Sequence, residues 1–360
     1  MAKLKLKKKV KRTLIILVTL GLLLIATSIL YCYLASPIDI NSNSLIEVKI
    51  EDGMSTKEIG DLLKEKELIR SSGFFILYSK LNNCTYLKSS TYDFKKNMSL
   101  NTIFETICAG NYSRDAITIT FKEGKRITDY AKVISEETNN DYDEIIELMK
   151  DREYIKTLID KYWFLTDDIL NSDIYYPLEG YLYPETYKFE NKNVSASTII
   201  EVMLNQTDKV LSEYKTDITN GKHTINEYIA LASMAELEGT NDENRKMIVG
   251  IFENRLKIGM NLGSDVTTYY ALQKSMTSDL TASEFNIYNL YNTRNANVKT
   301  IPVGPICSVS KSSIEAALYP TASDYYYFVA DKNKKVYYTK TSSEHEKKVQ
   351  ELKNSGDWIW

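Results

Sequence analysis

The sequence predicts an α+β protein with an N-terminal transmembrane helix, a small α+β module and a larger α+β domain. Three observations lead to this prediction. An uncharged apolar run lies near the N-terminus, residues 45–112 alternate short strand and helix patterns, and residues 113–360 contain longer buried helices and later strands. With 43% hydrophobic and 26% charged residues, the composition is that of a globular protein, and the part after the apolar run is long enough for two domains.

Residues 1–12 carry seven lysines and arginines, and an uncharged run rich in Leu and Ile follows. About 20 apolar residues cross a bilayer, and basic residues before a span stay in the cytoplasm. We therefore predict a cytoplasmic tail (1–12), a single membrane span (13–36) and a linker (37–44), with the rest extracellular or periplasmic. A cleaved signal peptide fits less well, because the run exceeds the usual apolar core of ~7–15 residues and no clear Ala-x-Ala site follows. A lipid site at Cys32 is disfavoured by the bulky Tyr31 before it.

Residues 45–112 predict a module of strand, helix, helix and strand, followed by a further helix that ends near Gly110. The first strand is 45–50, the two helices are 56–66 and 74–81, and the returning strand is 90–94. Glycan-binding LysM-like units have this order and size, so we predict a LysM-like module. A spacer or scaffolding domain fits the pattern equally well.

Composition also excludes several classes of function. The net charge is −3, and leaving out the seven N-terminal cations gives about −10 for the remainder, which argues against nucleic acid as a partner. The two histidines and four cysteines have no metal-ligand spacing, and there is no phosphate-binding glycine loop, so we expect no metal and no cofactor. A Cys84–Cys108 disulfide is possible, but buried or half-buried thiols are the expected state.

The candidate chemistry lies at the end of a predicted helix, 225–238. This helix is apolar nearly all round, which indicates burial, yet it ends in two carboxylates, Glu236 and Glu238. They project roughly 200° apart, so at most one readily faces a given cleft. Gly239 is the expected terminating residue. Glu238 would then meet the negative end of the helix dipole, which favours a protonated acid, whereas Glu236 is better suited to pair with an arginine such as Arg245 or Arg255.

Polar segments after this helix are candidates for a cleft. Asn241 or Asp242 should cap a helix that runs to about residue 258, and the segments 264–269, 291–294 and 301–306 are predicted to be polar loops. Strand 325–330 is predicted to pair with 335–339 across a turn at 331–334.

Eight segments, taken in order, resemble the endolytic murein transglycosylases of the YceG-like family. They are 178–187 (LEGYLYPETY), 232–238 (ASMAELE), 254–260 (NRLKIGM), 264–267 (SDVT), 291–293 (YNT), 304–306 (GPI), 314–320 (IEAALYP) and 327–330 (YFVA). Each segment alone is weak evidence, but eight in order make the resemblance strong, and it covers the anchor, the LysM-like module and the catalytic domain. The resemblance assigns 113–360 to a YceG-like catalytic domain.

The resemblance implies cleavage of the β-1,4 bond between N-acetylmuramic acid and N-acetylglucosamine in nascent peptidoglycan strands, with formation of a 1,6-anhydro end. The second glutamate of the Glu-x-Glu pair is the catalytic one in that family, which is Glu238 here. The remaining cleft candidates, predicted to bind substrate, are Glu236, Asn254, Arg255, Asp265, Thr267, Tyr291 and Asn292. The implied partners are peptidoglycan strands, the cell membrane, penicillin-binding proteins, and elongation or division proteins.

The chain also departs from the family pattern. Val266 stands where a proline is usual after the Ser-Asp pair, and 300–304 reads Thr-Ile-Pro-Val-Gly where Gly-Leu-Pro-Pro-Gly is usual. A weakly active or inactive glycan-binding scaffold is therefore one alternative. A hydrolytic muramidase is another, with Glu179, Glu185 or Asp265 as its second carboxylate.

Overall fold

The computed structural model describes residues 8–82, 84, 87–110 and 116–358, and the chain divides into two compact units. Unit 1 takes in residues 1–118 and 188–192, and unit 2 takes in 119–187 and 193–360. Helices and short strands occur in both units, which confirms the predicted mixture of helix and sheet.

The first helix, α1, spans Lys8–Ala35. Among the described residues, one helical segment, Ile16–Ala35, is long and apolar enough to cross a membrane by length and composition. Its apolar side chains, from Ile16 to Tyr33, are mostly exposed, which suits a lipid environment. The orientation of this helix in a membrane and its retention in the mature protein stay predictions.

Unit 1 continues with two strands and three helices. Their bounds are β1 (Leu45–Ile50), α2 (Thr56–Glu65), α3 (Ser72–Leu81), β2 (Ser90–Lys95) and α4 (Leu100–Ala109). The strands are antiparallel, with Leu45 opposite Lys95 and Ile50 opposite Ser90. The predicted strand–helix–helix–strand order is confirmed, while the LysM-like assignment stays a prediction.

The core of unit 1 lies between this sheet and its helices. Alternate residues of β2 are buried, as a strand with one covered face requires. Ser55 and Glu58 form a capping box at the start of α2, so that helix begins where the sequence predicts. The largest fully buried side chains of the unit are Ile59, Leu63, Phe75, Tyr92 and Phe94.

The expected thiol state of two cysteines was wrong. Cys84 and Cys108 form a disulfide, with their Cα atoms 6.4 Å apart. Cys84 follows α3 and Cys108 lies in the last turn of α4, so only the packing of these helices brings the two together. The loop that the disulfide closes restricts the unfolded chain and so stabilises this small unit. Cys307 is a buried free thiol, as expected.

Unit 2 is mainly helical. Its elements, the first of which begins at the boundary with unit 1, are β3 (Ile117–Thr120), α5 (Ile127–Glu137), α6 (Tyr142–Lys150), α7 (Arg152–Lys161), a 3-10 helix (Asp167–Leu170), β4 (Thr186–Phe189), α8 (Ala196–Ser212), α9 (Lys215–Thr219), α10 (Ile225–Glu238), α11 (Asp242–Lys257), α12 (Asp265–Ala271), α13 (Ala282–Phe285), α14 (Lys311–Leu318), β5 (Tyr327–Ala330), β6 (Val336–Thr339) and α15 (Ser342–Ser355). Strand β3 pairs with β4, and β5 is antiparallel to β6 with Tyr327 opposite Thr339. The predicted hairpin across 331–334 is confirmed.

Helices α10, α11 and α14 pack together at the centre of unit 2. Ala235, Val249 and Ala316, one from each helix, are fully buried against one another, and their small size allows close approach. Gly250 of α11 serves the same end, because a Cβ there would overlap the carbonyl oxygen of Thr321.

The prediction of a polar loop at 264–269 was wrong, since α12 begins at Asp265. All its residues after Asp265 are buried, including Thr267, Thr268 and Tyr270. Threonine and tyrosine have only moderate helix propensity and carry hydroxyl groups, so this segment was predicted to be a polar loop. Tertiary contacts on every side override that local preference.

Candidate functional site

The site is built around the C-terminal end of α10. Thr224 and Glu227 form a capping box at its start, and residues from Ile229 to Ala235 are buried on all faces. This explains the apolar pattern around the whole helix, which therefore runs through the core and delivers Glu236 and Glu238 to its end. Glu238 is its last residue, as predicted.

Gly239 ends α10 as predicted, but for a different reason. Its φ is −87°, so it does not adopt the left-handed conformation typical of a helix-terminating glycine. A Cβ at this position would overlap Cγ of Arg245. Glycine is needed because the arginine side chain crosses here to reach Glu236.

Glu238 is partly exposed, and the Ser264 hydroxyl donates a hydrogen bond of 2.5 Å to its Oε1. Burial raises the pKa of Glu238 to about 7, with the Ser264 hydrogen bond opposing the rise and the nearby Asp265 charge adding to it. Arg255 and Arg294 also oppose it. A carboxyl group with this pKa is protonated in an appreciable fraction at neutral pH and can donate that proton.

Ser264 is fixed by a small hydroxyl network. Its backbone N–H donates to Thr293 Oγ1 at 3.1 Å, and Thr267 Oγ1 donates to the Ser264 carbonyl at 2.6 Å. The Thr267 and Thr293 hydroxyls are 2.9 Å apart and both residues are fully buried. Thr267, predicted to bind substrate, is thus placed behind Ser264, where it holds the residue that contacts Glu238.

Asp265 follows Ser264 in the chain, at the start of α12, and is half exposed. Arg294 Nε is 3.3 Å from Asp265 Oδ1, and the guanidinium carbon lies 4.7 Å from the ring centre of Phe285. The site therefore contains two carboxyl groups and a partly exposed cation. Ser264, Thr293 and Arg294 were not among the predicted site residues, although each lies in a segment, 264–267 or 291–294, that the sequence analysis singled out.

Glu236 turns away from Glu238 and is almost completely buried. Arg245 Nη2 donates to its Oε1 at 3.1 Å, which is one of the two pairings predicted. Its Oε2 accepts from Ser310 N at 2.9 Å, from Ser310 Oγ at 2.5 Å and from Ser313 Oγ at 2.6 Å. These four hydrogen bonds, one to Oε1 and three to Oε2, join α10 to α11 and α14.

Asn254 and Arg255 hold the chain that leads into β5. Asn254 Nδ2 donates to the carbonyls of Ser323 and Tyr325 at 2.8 and 3.0 Å. Arg255 donates through Nε to Tyr326 O at 2.6 Å and through Nη1 to Leu262 O. Burial lowers the pKa of Arg255 to about 10, yet it stays cationic at neutral pH and contributes positive potential at Glu238.

Tyr291 and Asn292 lie inside the fold. The Tyr291 ring packs on Tyr270, with ring centres 4.7 Å apart. Asn292 donates to Ile287 O and accepts from Thr268 Oγ1, both at 2.7 Å. The structure does not bring either side chain to the surface beside Glu238, and both support the turn that carries Thr293 and Arg294.

Three carboxylates were predicted as possible partners of Glu238. Of these, Asp265 is the one whose charge acts on Glu238. Glu179 is buried, accepts from Ile127 N and the Tyr270 hydroxyl, and has its pKa raised to about 8 by that burial. Glu185 is exposed at the start of β4.

A cavity of about 620 Å³ lies at the opposite end of α10, lined by Thr224, Asn226 and Glu227 among others.

Comparisons with known proteins show what the chain is similar to. A model of the YceG-like family matches residues 48–351. Endolytic murein transglycosylases of Bacillus subtilis (strain 168) and Streptococcus pneumoniae (serotype 2, strain D39) are each 34% identical to the chain. The first alignment covers 87% of this chain and 86% of the relative, and the second covers 89% and 60%.

The fold has a match among solved structures. A crystal structure of a YceG-like protein from Listeria monocytogenes is 35% identical, covers 84% of this chain and 99% of its own, and superposes with a TM-score of 0.61. The match to the family model and the relatives at 34% identity lead to one conclusion: the chain belongs to the YceG-like family.

Proposed function

We propose that the chain is an endolytic lytic transglycosylase of murein, which cleaves the β-1,4 bond between N-acetylmuramic acid and N-acetylglucosamine and leaves a 1,6-anhydro end. The observation that carries the proposal is the state of Glu238. It is a partly exposed carboxyl group at a fixed helix end, with a pKa of about 7. The relatives of this chain in Bacillus subtilis and Streptococcus pneumoniae are named endolytic murein transglycosylases.

Glu238 acts twice in the proposed reaction. Its proton passes to the glycosidic oxygen as the bond from that oxygen to the anomeric carbon breaks. The resulting carboxylate then takes the proton from the C6 hydroxyl of the muramoyl sugar as that oxygen bonds to the anomeric carbon. Water is not consumed, and Glu238 ends the cycle protonated.

The neighbours of Glu238 suit this cycle. Ser264 holds one carboxyl oxygen, and the other, which accepts no hydrogen bond from the described residues, can face the glycosidic oxygen. The positive charges of Arg255 and Arg294 stabilise the carboxylate that exists between the two proton transfers, whereas Asp265 favours the protonated form at the start. Glu236, whose carboxylate accepts four hydrogen bonds from Arg245, Ser310 and Ser313, is assigned a structural role.

We also propose that α1 is retained as a single-pass anchor, with the basic tail in the cytoplasm and residues 37–360 outside the membrane. The length and composition of Ile16–Ala35 and the lysines and arginines before it support this arrangement. It would place the site next to strands as they emerge from the membrane. A LysM-like, glycan-binding role for residues 45–112 belongs to the same proposal.

The nature of the new chain ends tests the reaction. The full chain in detergent micelles is incubated with polymerised, uncrosslinked murein strands, and the products are identified by mass spectrometry. We expect 1,6-anhydro ends. Reducing ends, which contain one water more, would instead indicate a hydrolase that uses Asp265 as its second carboxylate. Folded protein that binds strands without cutting them would indicate a scaffold.

The pH dependence of the reaction should respond oppositely to two substitutions beside Glu238. Because the acid must be protonated, kcat/KM should fall as pH rises through its pKa of about 7. Ser264→Ala removes a hydrogen bond that lowers this pKa, so the alkaline limb should move to higher pH. Asp265→Asn removes a repelling charge, so the limb should move to lower pH, each by about half to one unit. Identical limbs in both variants and the parent would assign the titration to another group.

A further inference from the structure

Arg294 is a cation beside the acid to which the proposed reaction assigns no substrate contact. It directly follows Thr293, whose hydroxyl is part of the network that fixes Ser264. Its side chain is 41% exposed, and it contributes to the electrostatic potential at Glu238. It therefore lies on the open side of the site, within electrostatic range of the reacting group.

The guanidinium group is held in place but only partly used. Nε faces Asp265 Oδ1 at 3.3 Å, and Nη1 donates weakly to the Gly263 carbonyl at 3.4 Å. Asp265 Oδ1 forms no hydrogen bond within the described part of the chain, so the ion pair is imperfect. The Phe285 ring lies against the guanidinium plane. Arginine has five N–H donors, and Nη2 forms no hydrogen bond with the residues that the structure describes, so its edge remains for a further acceptor.

Arg255 shows the contrast. It is 7% exposed, and its Nε and Nη1 donate to the carbonyls of Tyr326 and Leu262. Its guanidinium carbon also lies 5.4 Å from the ring centre of Tyr327. Arg255 is thus a structural cation inside the fold, while Arg294 is the one of the pair that a ligand can reach.

The chemistry of murein indicates what such a group would meet. The sugar rings of the glycan carry hydroxyl and acetamido groups without formal charge, and negative charge resides in the carboxylates of the substituent on the muramoyl sugar. A planar fork of N–H donors supported on an aromatic ring is suited to bidentate carboxylate recognition.

We propose that Arg294 binds a carboxylate of the muramoyl substituent next to the bond that Glu238 cleaves, which makes it a specificity-determining residue. This inference rests on the proposed function. Asp265 holds the guanidinium in position before the substrate arrives, and the substrate carboxylate binds its open edge. The chain should therefore prefer strands whose substituents carry free carboxylates over strands in which they are blocked.

The test compares two forms of one substrate. Uncrosslinked murein strands are used with free peptide carboxylates and after carbodiimide-driven conversion of those groups to methylamides. The proteins are the full-length parent, Arg294→Gln, Arg294→Lys and a control, Lys299→Gln, which removes an exposed cation from the same loop. On free strands Arg294→Gln should raise KM about tenfold, in addition to any fall in kcat from the loss of its positive charge near Glu238, and Arg294→Lys should have a smaller effect on KM. On methylamidated strands the parent and Arg294→Gln should have the same KM.

Two further measurements keep the outcome decisive. Binding of both strands to Glu238→Gln and to Glu238→Gln with Arg294→Gln reports recognition without turnover, so it stands even if the parent makes no anhydro ends and the proposed function fails. Thermal unfolding checks that the variants are folded. The inference is overturned if Arg294→Gln weakens binding by the same factor for both strands, or if Lys299→Gln reproduces its effect. A shift of the pH profile with unchanged KM would overturn it too, since Arg294 would then act only on Glu238.

Discussion

Glu238→Gln should lower kcat for the formation of anhydro ends by roughly 10³-fold. Glutamine has the same shape and can still accept the Ser264 hydrogen bond, but it has no proton to give and cannot act as the base in the second half of the reaction. Loss of a general acid commonly costs 10²- to 10⁴-fold, and here one group performs both transfers, so roughly 10³-fold is a conservative figure. The measurement is mass spectrometry of products at saturating strand concentration.

The free energy of unfolding of Glu238→Gln shows whether activity is lost with the acid alone or through unfolding of the protein. The pKa of Glu238 in the folded protein, about 7, is above its value in the unfolded chain, so its contribution to stability is present below about pH 4.5 and is lost as pH rises through 7. Glu238→Gln should therefore match the parent near pH 4 and be more stable at pH 8, by roughly 1–3 kcal/mol. A variant that retains substantial cleavage would remove Glu238 from the proposed chemistry, and a variant that unfolds at pH 8 would contradict the burial argument.

Local sequence patterns were sufficient to predict most elements. The continuous apolar pattern of 225–238 predicted a buried helix, and Gly239 marked its end correctly. The alternation of 45–50 and 90–94 predicted a strand pair that forms in register. These features are set by neighbours in the chain, where periodicity and caps are informative.

The composition of the site was less predictable because its members meet through packing. Ser264 contacts Glu238 across 26 positions in sequence, and Thr293 fixes Ser264 across 29. Nothing in either local segment signals that contact. Polar residue types were also a poor guide to exposure. Asn292 is completely buried, and its side-chain amide forms hydrogen bonds with Ile287 O and Thr268 Oγ1. A polar residue in a presumed loop is as consistent with a buried turn as with a substrate contact.

Glu236→Ala should produce the opposite outcome from Glu238→Gln, a large loss of stability from which any loss of activity follows. The substitution leaves Arg245 without its buried partner and removes the acceptor of three hydrogen bonds from Ser310 and Ser313. Removing one partner of a buried ion pair typically costs 3–5 kcal/mol, because the remaining charge stays buried and uncompensated. Urea denaturation of the full chain in micelles, followed by tryptophan fluorescence, measures this loss.

Glu236→Gln is the matched control for Glu236→Ala, because it removes the charge and keeps the size of the side chain. Its amide oxygen can still accept from the serines, but its NH₂ group faces Arg245, so we expect a loss smaller than that of Glu236→Ala. At low denaturant, where both variants are folded, each should retain kcat within a few-fold of the parent, because this carboxylate faces α11 and α14 and not the site. If Glu236→Gln were as stable as the parent and still lost kcat by orders of magnitude, the two glutamates would have to exchange roles. The two substitutions lie two residues apart on one helix, so together they separate the chemistry of its exposed side from the packing of its buried side.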